Sequence, residues 1–104
     1  MRVLVGASSD FPEEGAVKVE VQGRPVAVVR IGGELFAIGD TCSHAKCSLS
    51  EGDLLVEERE LECWKHGSTF SLVDGMPQCL PATSPVPVYT VVEDGGKVYV
   101  EVEG

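Results

Sequence analysis

Basic residues are scarce in this chain: eight lysines and arginines stand against seventeen aspartates and glutamates, a formal charge of −9. That balance disfavours nucleic acid and anionic membrane surfaces as partners and favours docking on basic protein patches. Long apolar runs are missing as well. None approaches the ~18 residues needed to cross a bilayer, and the opening Met1-Arg2-Val3-Leu4-Val5-Gly6 has too short an apolar stretch for a secretory signal. The expectation is a soluble, cytoplasmic protein. Histidine is nearly absent, with two residues in 104. A chain of that length makes one domain with a hydrophobic core of its own, but it has no room for a cofactor domain plus a substrate domain, so its chemistry must be compact.

What is present is β-strand pattern. Runs of β-branched residues over 16–21, 25–31, 35–38, 86–92 and 98–102 predict strands. They are punctuated by Gln22-Gly23-Arg24, Gly32-Gly33 and Asp94-Gly95-Gly96, which read as hairpin turns. Several short strands with regular turn signals indicate an all-β fold, a small antiparallel barrel or sandwich. One helical turn is expected near 9–14, with Ser or Asp as cap and Pro12 in the first turn. From Ile38 to about Ala82 the texture changes: all four cysteines, both histidines and the only tryptophan fall there. Short strands are expected within it near 54–56, 60–63 and 69–73. The four prolines of 77–87 demand a stiff extended connection.

Both histidines stand two or three residues after a cysteine, in Cys42-Ser43-His44 and in Cys63-Trp64-Lys65-His66, with eighteen residues between the two arms. Four cysteines in so small a chain could signal a secreted disulfide framework, but two are paired with histidines and the other two differ in spacing and context. Two thiolates and two imidazoles suffice to hold a [2Fe–2S] cluster with mixed ligation, and such a cluster implies one-electron transfer. Each tetrahedral iron shares two sulfides and needs two protein ligands. Cys42 with Cys63 on one iron and His44 with His66 on the other would make the cluster clamp both loops, so folding of the region should depend on it. A single zinc in the same four side chains is the rival. Structural zinc arms commonly pair cysteine with cysteine and histidine with histidine, whereas both arms here are mixed. A Cys/His nucleophilic dyad is the third reading, although no orienting residue or oxyanion site marks it.

Cys42-x-His44 followed by Cys63-x-x-His66-Gly67, with Leu49-Ser50-Glu51-Gly52, Phe70 and Leu80-Pro81-Ala82, resembles the Rieske [2Fe–2S] signature, and the likeness covers essentially the whole chain. In length it is similar to the small Rieske-type ferredoxins of ring-hydroxylating dioxygenase systems. The resemblance implies a single Rieske domain over residues 1–104. A β-sandwich base would be formed by 1–37 and 83–104, and a rubredoxin-like cluster-binding subdomain by about 38–82. It implies Cys42, His44, Cys63 and His66 as metal ligands, with Pro81 in a third loop covering the cluster. The implied partners are a flavin-dependent reductase and a terminal oxygenase, met transiently, with no substrate and no catalysis of the chain's own. A Rieske-like small subunit of nitrite reductase, or an accessory protein of iron–sulfur assembly, is the alternative.

Departures from the pattern carry information too. High-potential relatives have an extra cysteine in each ligand loop, joined as a disulfide. Cys47 stands where the first would be, but the second position is Lys65, so that bridge cannot form. Cys47 then reads as a free thiol near the cluster and Cys79 as a small apolar residue near the third loop, a Cys47–Cys79 bridge being the alternative. Of the serine and tyrosine hydroxyls that such relatives aim at the cluster, this chain keeps Ser68 and has Phe70 in place of the tyrosine. With fewer donors and an acidic protein around it, the potential should fall toward the low end of about −150 to +300 mV. Lys46, Trp64, Lys65 and Pro81 form the expected docking patch, Trp64 acting as a packed shield. The acidic stretch 57–60 reads as a solvated loop.

Overall fold

The computed structural model describes residues 2–11, 13–41, 48–63, 68–78 and 85–101. Among these, nine strands follow in order: β1 (Arg2–Ala7), β2 (Glu14–Val21), β3 (Arg24–Ile31), β4 (Glu34–Gly39), β5 (Leu54–Leu55), β6 (Glu60–Glu62), β7 (Thr69–Ser71), β8 (Val88–Asp94) and β9 (Lys97–Glu101). Two 3₁₀ turns, Ser8–Asp10 and Leu49–Glu51, are the described helical pieces. No helix among the described residues is long and apolar enough to cross a membrane.

Local turn chemistry fixes the hairpins. β2 and β3 close on the Val21–Arg24 pair, and the two residues between, Gln22 and Gly23, take φ of 52° and 79°. β8 and β9 close on Asp94–Lys97 around Gly95 and Gly96, at φ of 59° and 78°. Left-handed φ at both central residues matches the twist of the flanking strands and joins them without splay. All pairings are antiparallel, and the larger sheet runs β1-β9-β8-β4-β3-β2. Its two halves meet through only two residue pairs, Ala37–Tyr89 and Ile38–Val88, where the sheet curls.

Curling lets the halves face each other. Val17, Val19 and Val21 of β2, Val26 and Val28 of β3, Leu35 and Ala37 of β4 pack with Val3, Val5, Tyr89, Val91, Val98 and Val100 from the other half. The intervening residues of β3 and β4 face the opposite way. Ala27, Val29, Phe36 and Ile38 join Leu49, Leu61, Cys63, Phe70, Leu72 and Val86 in a second core, beneath the small sheet β5-β6-β7. β3 is therefore covered on both faces, which explains why Val26-Ala27-Val28-Val29 is a continuous apolar run rather than an alternating one. The described residues form three layers, and the middle one packs against the core that holds Leu49, Leu61, Cys63 and Phe70.

Several sequence expectations are corrected. β1, not foreseen as a strand, pairs with the last strand and carries a register shift between Leu4 and Gly6. The helical turn expected near 9–14 is three residues at Ser8–Asp10, because Phe11 drops into the base core and β2 already begins at Glu14. The strand expected from 86 starts at Val88. Pro85 and Pro87 lack donors, the Val86 N–H donates to the Gly75 carbonyl, and the Pro87 carbonyl accepts from Gly39 N at 2.8 Å. Short strands near 54, 60 and 69 are present as expected.

Candidate functional site

The ends of both ligand arms are tied together by the backbone. Around segment 42–47, Thr41 and Ser48 form an antiparallel bridge, and Leu49 N donates to the Asp40 carbonyl at 2.6 Å. Around segment 64–67, Glu62 pairs with Thr69 at the end of the β6–β7 ladder, and Cys63 N donates to the Ser68 carbonyl at 2.6 Å. A third tie belongs to the stretch leading to the proline-rich connection: Phe70 bridges Pro77, and Gln78 N donates to the Thr69 carbonyl at 2.8 Å.

Cys63 is buried at the end of β6 and belongs to the same core as Leu49, which follows the first arm. Leu49, just after the first predicted arm, and Cys63, at the start of the second, thus belong to one packed unit. Ser68 is buried with Thr69 beside it, and Phe70 is wholly buried in the core between the small sheet and the middle layer. Phe70 acts here as an apolar anchor. Cys42, His44, Cys47, Trp64, Lys65, His66, Cys79 and Pro81, together with Lys46 of the expected docking patch, lie outside the described residues.

The 56–59 turn is exposed but not wholly solvated. Arg59, at φ 54°, reaches Glu34 of the β3–β4 hairpin at 2.7 Å, and its carbonyl accepts from Leu72 N at 2.9 Å, so the turn is tied to the base. The residue that sequence reasoning passed over is Asp40. It was only a neighbour of the first arm, yet its side chain is 1% exposed, accepts from Ser48 Oγ, and accepts from Ser50 N at 2.9 Å. An aspartate two residues before a candidate ligand is a weak signal in a sequence, because aspartates are ordinarily exposed.

Residues 1–90 match the pattern of the Rieske [2Fe–2S] domain. The chain belongs to the Rieske [2Fe–2S] family. This Rieske domain is 36% identical over 100 residues to the 3-phenylpropionate/cinnamic acid dioxygenase ferredoxin subunit of Escherichia coli (strain K12), covering 96% of this chain and 92% of that one. Its fold superimposes on the ferredoxin of carbazole 1,9a-dioxygenase from Nocardioides aromaticivorans IC177 with a TM-score of 0.94, at 34% identity and 99% coverage of both chains. It is also similar to a chain in the complex of reduced oxygenase and oxidised ferredoxin of carbazole 1,9a-dioxygenase, with a TM-score of 0.87 and 37% identity over 98% of this chain and 97% of the other. A Rieske domain holds one Rieske-type [2Fe–2S] cluster, and this one is an electron-transfer component rather than a catalyst.

Proposed function

We propose that this Rieske domain is the cytoplasmic ferredoxin of an aromatic ring-hydroxylating dioxygenase system, taking single electrons from a flavin-dependent reductase and handing them to a terminal oxygenase. The observation that carries this reading is the end-to-end likeness, at 37% identity, to a chain in an oxygenase–ferredoxin complex. Cys42, His44, Cys63 and His66 are the ligands in this reading, with the cysteines on one iron and the histidines on the other. The cluster-binding part spans about 38–82, and residues 1–37 with 83–104 form the base.

When bound, the cluster supplies a one-electron couple whose potential is set by ligand type, nearby charge and hydrogen bonds to sulfur. The chain does the rest by rigidity and shielding. Burial of Cys63 in one core with Leu49, Leu61 and Phe70 would shield that ligand from water and ties the residue that begins the second arm to the middle layer. The ties at Thr41–Ser48 and Cys63–Ser68 fix where each arm begins and ends, so little structure has to rearrange when charge changes. In this reading Lys46, Trp64, Lys65 and Pro81, the docking residues expected from the sequence, are the ones that meet the oxygenase. On a protein of charge −9, a small basic and apolar face orients the encounter.

Anaerobic mixing of the dithionite-reduced, desalted protein with a terminal oxygenase of this class tests the reading. Oxidation of one electron equivalent per chain is expected, slowed when Lys65→Glu reverses the contact charge. Failure of several such oxygenases to oxidise the reduced protein faster than buffer does would contradict it.

A further inference from the structure

The geometry points to Asp40 as a positioning residue for the first ligand arm, holding together the two ends that flank segment 42–47. The inference rests on the reading of Cys42 and His44 as ligands. Asp40 is the last residue before the Thr41–Ser48 bridge, and it is buried. Every polar atom it has is used there. Its backbone N donates to the Pro25 carbonyl at 3.1 Å and its carbonyl accepts from Leu49 N at 2.6 Å. One carboxyl oxygen accepts from Ser50 N at 2.9 Å, and the other accepts from Ser48 Oγ, which itself lies 2.8 Å from Ser50 Oγ.

The 3₁₀ turn Leu49–Glu51 needs this partner. Its leading N–H groups have no acceptor within so short a turn, and Ser48 provides no side-chain cap. Asp40 supplies two acceptors, one from its backbone and one from its side chain, so the chain leaving the arm is pinned to the chain entering it. Meanwhile the Pro25 contact anchors Asp40 to β3. A buried carboxylate is costly unless its oxygens are hydrogen-bonded.

Three variants test this. Asp40→Asn keeps an acceptor for Ser50 N and should release iron to a chelator at close to the parent's rate, with the mixed-ligand paramagnetic resonance of the reduced protein kept. Ser48→Ala removes one tie and should release iron faster than the parent. Asp40→Ala removes both side-chain ties and should speed iron release by about 10–100-fold; should it fail to fold, the first two variants still decide. Iron release from Ser48→Ala as slow as the parent's would overturn the inference while leaving the ligand assignment intact. Absence of the mixed-ligand resonance in the parent protein would instead sink the ligand assignment, and this inference with it.

Discussion

Val28 and Val29 are neighbours on β3, equally buried, and face different cores. Replacing each in turn by alanine separates the stability of the core within the large sheet from that of the core beneath the small sheet, where the proposed cluster arms begin and end. Each change deletes two buried methyl groups, worth about 0.8 kcal/mol apiece by transfer, and leaves a cavity that raises the loss to about 2–3 kcal/mol. For a domain of this size that lowers the melting temperature by about 8–24 °C, and both variants should show it by far-ultraviolet circular dichroism. Iron release should tell them apart. Val29 shares its core with Leu49, Leu61, Cys63 and Phe70, so Val29→Ala lowers the free energy of local opening of the small sheet as well as that of global unfolding. A loss of about 2 kcal/mol there corresponds to roughly 25-fold faster bleaching of the visible absorbance by a chelator. Val28→Ala sits in the base core and should change bleaching by less than about threefold, since global unfolding is far rarer than local opening. Equal acceleration in both variants would mean that the cluster is lost only through complete unfolding, and the layered account would be wrong.

Other expectations follow from single residues. Gln22 holds φ 52° in a two-residue hairpin turn; Gln22→Asn gives that turn its preferred Asn-Gly pair and should raise the melting temperature by a few degrees. Gly75, at φ 73°, has its missing Cβ position 2.2 Å from the Val86 carbonyl oxygen. Gly75→Ala should therefore detach the 85–87 segment and give mostly insoluble protein, and a soluble variant with parental melting behaviour would contradict the packing described. Phe70 is buried and offers no hydroxyl, so a redox titration should give a potential in the lower half of about −150 to +300 mV.

How much was legible without coordinates depended on whether the signal was local. The hairpins at 22–23 and 95–96 were readable because two adjacent residues decide them. β1 was not recognised: its Val3 and Val5 alternate as a strand should, but its pairing partner is β9, at the far end of the chain. Phe11 misled in the same way, since nothing near Ser8–Asp10 says that a distant core will take its ring. At the site, the arms stood out because two rare residue types coincide twice, and the family they resemble is the one whose pattern matches residues 1–90. Asp40 did not stand out, because its importance lies in burial and in partners eight to ten residues on, neither of which a residue type reveals.

The central claim is that two cysteines and two histidines share one diiron cluster unsymmetrically, and electron paramagnetic resonance of the dithionite-reduced protein tests it most directly. A rhombic signal is expected, with an average g below that of an all-cysteine [2Fe–2S] protein, lost in His44→Cys and His66→Cys and kept in Cys47→Ser. An all-cysteine type of signal, disappearance of the signal in Cys47→Ser, or a colourless protein with one zinc per chain would contradict it.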